Sequence, residues 1–350
     1  MIKLPSKALL YRDWRNSRWF IPLLALELLF TRDGALISQG ERFRPILNLG
    51  MEMKAFFLFF FIISVTIALM SAVLFHYDRK WPDLALAAGM PFTREEILTS
   101  KWVVGVYNIT VAYLFVFVLM NGMLIYNFCW TNFFTDIFKW FAVYLLMALC
   151  IFGFVLLAQS ANGSALPGSI LTVVCGAFPF TVIYVLYGAF YTHYNTGSIG
   201  EVQILVPGYL KGIVESGVFM VPVKAVAGLF LVDCSLGLDP SVTQSTGGFI
   251  ARVLFFSALT FLFYILSLRT FRKSRYERVG RFTTVGAFEK IYGVVLSYTV
   301  GFLALMAYSL VVSEKTALRA DSVIFFCVII PILLYFVTGW ILRQYDKRII

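Results

Sequence analysis

The sequence predicts an all-α polytopic membrane protein of about eight transmembrane helices with both termini in the cytoplasm. Three observations carry that expectation: a composition too apolar for a soluble domain, a series of apolar runs of membrane-crossing length, and basic residues biased to one side of those runs. Of 350 residues, 60% are hydrophobic and 14% charged, with a mean hydropathy of +0.83. Soluble domains lie nearer half apolar and a quarter charged. With 36 Phe and 18 Tyr among them, there is too little polar surface to cover so much apolar side chain.

A helix needs about 20 mainly apolar residues to cross the hydrocarbon core. Runs of that length, or close to it, are Ala55–Phe75, Val103–Tyr126, Trp140–Leu157, Ser169–Phe190, Phe249–Leu268, Ile291–Val312 and Ser322–Leu342. A further run starts at Trp19, is clean only to Phe30, and reaches full length near Ile37 by absorbing Glu27, Arg32 and Asp33. With the N-terminus inside, Lys and Arg favour the cytoplasmic side by about two to one. The net charge of +10 is then a topology signal that needs no nucleic-acid partner. Ile213–Val232 could pass for another span, but Glu215, Pro222 and Lys224 interrupt it. Its crossing would also carry the basic loop of Arg269, Arg272, Lys273, Arg275, Arg278, Arg281 and Lys290 outside. It is expected instead as an exoplasmic or re-entrant piece, enclosed by protein or a water-filled cavity.

The expected organisation is an interfacial helix at 1–18, a six-span core at 19–268, a basic cytoplasmic loop at 269–290, and two C-terminal spans with a tail at 291–350. Within the core lie a cytoplasmic segment at 76–102 and an exoplasmic segment at 191–248. At the N-terminus, Ser6 after Pro5 is a cap, and Leu10 and Trp14 lie four apart among Lys7, Arg12, Arg15 and Arg18. This pattern predicts a basic helix lying on the inner leaflet; the simpler alternative is a solvated lead-in that serves only topology. In the cytoplasmic segment, Asp83 starts a short helix over Leu84–Ala88, closed by Gly89 and ended by Pro91. Thr93-Arg94-Glu95-Glu96 then forms a capping box that opens a helix running into the next span. A well-capped connector would have the same pattern. The exoplasmic segment is polar, then apolar over Ile204–Val232, then Gly-rich, as short helices on an outer mouth would be. Pro179 is expected to kink its span, and Cys129 and Cys234, both placed outside, could pair.

The chemistry read from motifs is mostly one of exclusion. No GxxxxGK[ST], GxSxG or HExxH occurs, nor any CxxC pair. The two His, His76 and His193, fall at opposite edges of the bilayer in this arrangement, so an intramembrane metalloprotease is not expected, nor is a metal or cofactor on this chain. Glu27 is the one acidic residue inside an expected span. It is either a coupling carboxylate, a partner for a basic residue, or a group facing a polar cavity. An ion-coupled carrier would be expected to hold more such groups.

The order of these elements resembles the membrane subunit of ABC-2-type transporters, a type V exporter-like core here followed by two extra C-terminal spans. Ser6–Arg18 matches that family's interfacial helix, Asp83–Lys101 its coupling segment, and Tyr191–Gly248 its exoplasmic segment. MPFTREEILTSKWVVG is similar to the family's small-Pro-x-[ST]-Arg-x-Glu-x-Leu-x-x-Lys pattern, carried by Pro91, Thr93, Arg94, Glu95, Glu96, Leu98 and Lys101. The resemblance covers roughly Ser6 to Thr270, and the extra spans match a Gram-positive-like subgroup. It implies a multi-pass permease of the bacterial plasma membrane, paired with a second permease subunit, identical or paralogous. It also implies separate ATPase subunits that hold ATP and Mg, the chain itself being no enzyme. Asp83, Leu84, Leu86, Met90, Pro91, Thr93, Arg94, Glu95, Glu96 and Lys101 would couple to the ATPase. The aromatic, weakly charged spans suit export of a hydrophobic or amphipathic cargo such as a peptide antibiotic or a lipid. The alternatives are a non-transporting sensor or scaffold, and an ion-coupled secondary carrier.

Overall fold

Ser6 sets the first helix. Its hydroxyl accepts the Leu9 amide at 3.3 Å, and α1 runs Lys7–Ser17 behind that cap. A turn at Arg18 and Trp19 leads into α2, Phe20–Ile37, which carries Pro22 in its first turn, where no intrahelical amide bond is lost. There follow α3, Met53–His76; α4, Arg94–Tyr126; α5, Trp130–Ala161; and α6, Thr246–Lys273. The computed structural model describes residues 5–37, 53–76, 92–126, 130–162 and 246–273, with parts of 293–304 and 329–337.

The chain divides into two units. The first comprises Met1–Val173 and Asp233–Val285 and holds all six helices. The second comprises Val174–Val232 and Gly286–Ile350. Its described residues are short helical pieces, where Gly293 lies against the Tyr335 ring and Ser297 bonds back to the Gly293 carbonyl at 2.6 Å.

In the first unit α4 packs against α1, α2, α5 and α6, and α5 and α6 share the most extensive interface. The buried stripes follow helical spacing: Ile63, Ile67, Met70 and Leu74 on α3; Ile109, Ala112, Tyr113 and Val116 on α4; Tyr144, Ala148, Phe152 and Val155 on α5. The closest approach is at Gly105, where a Cβ would stand 2.0 Å from Phe152 Cζ. Trp102 fills the corner between α4, α5 and α6, its ring centroid 5.5 Å from that of Phe152 and 4.9 Å from that of Tyr264. Much of α6 is exposed, Leu254 and Phe261 each to 65%, apolar surface of the kind that faces hydrocarbon.

The expectation of about eight transmembrane helices is corrected. Among the described residues three helices are long and apolar enough to cross a membrane: Arg94–Gly122, Phe141–Ala161 and Phe249–Lys273. Phe20–Leu29 and Ile62–His76 are shorter apolar helices. Ten residues rise only about 15 Å, half the hydrocarbon thickness, and the rest of α2 carries Arg32 and Asp33. The described elements are all α-helices, and their long apolar members are those of a multi-pass membrane protein in general class. The expected span Ser169–Phe190 with Pro179, the segment Tyr191–Gly248 up to 245, the loop from 274 to Lys290, Cys129 and Cys234, and most of 291–350 lie outside the described residues.

In α1 the residues turned into the bundle are not the apolar pair the spacing singled out. α1 turns Leu9, Asp13 and Ser17 into the bundle, four residues apart along one face. Leu10 and Trp14, the expected apolar pair, stay only half-buried. The helix is held by polar contacts to α4, described next, which the spacing of apolar residues could not reveal.

Candidate functional site

The start of α4 is where four helices are tied together. The capping box is formed: Thr93 Oγ1 accepts the Glu96 amide at 3.3 Å, and the Thr93 amide donates to Glu96 Oε2 at 2.8 Å. This satisfies two amides that the first turn of any helix leaves open. Glu95, in the same turn, meets Arg272 of α6 at 2.7 Å, and the Arg94 guanidinium donates to the Arg272 carbonyl at 3.2 Å. Acids at a helix N-terminus and bases at a C-terminus each complement the helix dipole, so this junction is favourable on both sides. One turn deeper, the hydroxyls of Thr99 and Tyr264 lie 3.3 Å apart.

The opposite face of α4 carries polar residues at Ser100, Lys101 and Asn108, all buried. Ser100 Oγ donates to Asp13 Oδ2 at 2.9 Å. Lys101 is fully buried; its Nζ donates to the Leu74 carbonyl, lies 3.8 Å from Asp13 Oδ1, and sits 5.1 Å above the Phe75 ring. Leu74 is in the last turn of α3, where carbonyls lack intrahelical donors, so Lys101 closes that helix end and meets its negative pole. Asn108, two turns further along α4, does the same for α1: its Nδ2 reaches Ser17 Oγ at 2.8 Å and the Ser17 carbonyl at 3.3 Å. Arg12 completes the shell around Asp13 at 3.0 Å. A buried carboxylate is tolerable only when paired and hydrogen-bonded in this way.

A second polar group lies deeper in the apolar part. Thr66 of α3 donates its hydroxyl to Glu27 Oε1 of α2 at 2.5 Å. Tyr113 of α4 is buried, lies within electrostatic reach of Glu27, and among the described residues its hydroxyl has no hydrogen-bond partner.

Of the coupling residues expected from the sequence, Asp83, Leu84, Leu86, Met90 and Pro91 lie outside the described residues. Thr93 is exposed, and Arg94, Glu95 and Glu96 are half-buried around it, while Lys101 is turned into the bundle. The last of these is a structural closure of α1, α3 and α4, with no surface to offer a cytoplasmic partner. Sequence reasoning missed Asp13, Ser17, Ser100, Asn108 and Arg272. A signal existed on α4, where Ser100, Lys101 and Asn108 recur within two turns of one face of an otherwise apolar helix. Among the described residues no cluster of His, Cys, Asp and Glu could hold a metal ion.

No known protein-family model, no curated protein and no solved structure matches the chain.

Proposed function

We propose that the chain is the membrane subunit of an ATP-driven transporter of the ABC-2 type, working with a second permease and separate ATPase subunits in a bacterial plasma membrane. The observation that carries this reading is the construction at the head of α4. A capped helix start, bearing an acidic turn, continues without a break into a helix of 33 residues. At about 1.5 Å per residue such a helix is near 50 Å long, more than a bilayer core requires. A push on Thr93–Glu96 therefore reaches the membrane interior along one rigid element. Through Arg272, Lys101 and Ser100 it also reaches α6, α3 and α1.

Charge supports the side on which this end lies. Lys7, Arg12, Arg15 and Arg18 of α1, Arg94 and Lys101 of α4, and Arg269, Arg272 and Lys273 of α6 gather at the same end, which the positive-inside rule assigns to the cytoplasm. ATP is hydrolysed there. The direction this reading favours is export, and the apolar, aromatic helices suit a hydrophobic or amphipathic cargo.

The test is coupled ATP hydrolysis in the purified complex. Replacing Glu95 and Glu96 together by Ala removes the acidic turn and half of the capping box. Cap loss costs on the order of 1 kcal/mol locally, and the partly exposed Glu95–Arg272 pair contributes no more than about 1 kcal/mol, so the complex should remain folded. Its ATPase activity should fall severalfold while the subunits still co-purify. Unchanged activity would remove this end of α4 from the coupling path.

Glu27 favours a second reading, an ion-coupled carrier, because a carboxylate bonded to Thr66 beside a buried Tyr113 is the kind of group such proteins use. That reading expects transport in vesicles without ATP and its loss in Glu27→Gln. The ATP-driven reading expects no transport in ATP-free vesicles.

A further inference from the structure

Glu27 of α2 is set deep among apolar helices, beside Thr66 of α3 and within electrostatic reach of Tyr113 of α4. Tyr113 belongs to the span Arg94–Gly122 and lies about 14 Å short of its end at Gly122. Ionisable groups at such depth are costly and are usually kept for a function. Thr66 fills one acceptor position of the carboxylate at 2.5 Å, and an ionised carboxylate offers about four. The Tyr113 hydroxyl is buried and, among the described residues, has no hydrogen-bond partner, a standing cost until something fills it.

Glu27 itself is only half-buried, so the polar group reaches the surface of the bundle. Its rim is apolar and open. Leu23, one turn before Glu27 on the same face of α2, is 42% exposed, and Leu69, one turn after Thr66 on α3, is 45% exposed. α2 starts and α3 finishes at the end of the bundle that holds α1 and Lys101. Both leucines therefore lie on one side of the carboxylate, toward that end.

We infer that Glu27, Thr66 and Tyr113 form a binding site for the ammonium group of a cationic amphiphile, whose chain lies along Leu23 and Leu69. Three considerations select this occupant. An ammonium brings three donors on one compact charge, for the carboxylate and the phenol oxygen to accept. A calcium or magnesium ion takes six or more oxygens, whereas these side chains supply one carboxylate and two hydroxyls. A proton alone makes no use of an exposed apolar rim that begins one turn from the charge. Binding of this kind needs no nucleotide. Only the further step, that the amphiphile is the cargo, rests on the ATP-driven reading, and it narrows the amphipathic class to cations.

The test titrates the full-length protein, in phosphatidylcholine nanodiscs without ATP, with two fluorescent probes. One is the mono-dansyl amide of a linear eight-carbon diamine, whose free amine is protonated at neutral pH. The other is the dansyl amide of octylamine, which lacks that amine. The amine probe should bind saturably and at least about tenfold more tightly than the neutral one, the worth of a charge-assisted hydrogen bond. Glu27→Gln should abolish that preference and leave the neutral probe's affinity unchanged. Tyr113→Phe removes only a buried hydroxyl and keeps the fold; it should weaken the amine probe by about two- to tenfold. Leu23→Ser/Leu69→Ser alters two exposed side chains and should weaken both probes alike. Equal affinity for the two probes, an amine preference kept by Glu27→Gln, loss of both probes in that variant, or wild-type binding by Tyr113→Phe would each overturn the inference. A complex without an ATPase subunit would instead remove the ATP-driven reading and leave these titrations as they are.

Discussion

An Asp13→Ala variant is expected to lose about 3–5 kcal/mol of stability, the cost of removing one partner from a buried ion pair. The effect is large because the carboxylate serves three donors at once: Ser100 at 2.9 Å, Arg12 at 3.0 Å and Lys101 at 3.8 Å. Without it, the fully buried Lys101 ammonium loses the carboxylate beside it, and the Leu74 carbonyl and the Phe75 ring that remain carry no opposing full charge. Thermal unfolding in detergent should show the drop directly. Lys101→Met should cost less, because Asp13 would still hold Arg12 and Ser100. The double variant should be markedly less destabilised than the sum of the two, since removing both charges leaves neither uncompensated. Additive losses would mean that the two residues do not act on one another, and that α1 is not latched to α4 through them.

Gly105→Ala is the second large effect. A Cβ there would lie 2.0 Å from Phe152 Cζ and within 3 Å of two further ring atoms. Phe152 cannot swing aside, because it is fully buried and stacked on Trp102. The overpacked variant should lose about 1–3 kcal/mol, as a lower Tm with weakened α4–α5 association. Pairing it with Phe152→Leu should recover stability relative to Gly105→Ala alone, although Phe152→Leu by itself is destabilising. A double variant no better than Gly105→Ala would show that the strain is relieved elsewhere.

What the sequence made legible was local. Thr93 and Glu96 lie three residues apart, and the hydrogen bonds of a capping box follow from that spacing alone, as does the Ser6 cap on α1. The general class was also legible, because composition alone requires a membrane. Which of the apolar runs are long apolar helices was legible only in part. Among the described residues the runs at Val103–Tyr126, Trp140–Leu157 and Phe249–Leu268 each meet a long apolar helix, whereas the run from Trp19, which takes in Glu27, Arg32 and Asp33, is a short apolar helix over Phe20–Leu29. The polar seam was invisible for a different reason. Asp13 and Lys101 are 88 positions apart, and only the packing of α1 across α3 and α4 brings them within 3.8 Å. Lys101 stands inside a motif that resembles a coupling segment, so its position in the chain pointed outward. Helical phase turns it inward, because Lys101 shares the face of Ile97, Val104 and Asn108, all of them buried. The sites that sequence spacing can find are those whose partners lie within one helical turn.

The reading of the chain as a transporter subunit stands or falls on its company. The most direct measurement is the subunit composition of the complex isolated from its native membrane in a mild detergent, identified by mass spectrometry and assayed for ATP hydrolysis. The expected result is a stoichiometric partner carrying the GxxxxGK[ST] motif that this chain lacks, with ATPase activity that depends on Glu95 and Glu96. A complex with no nucleotide-binding subunit and no ATP hydrolysis would contradict it.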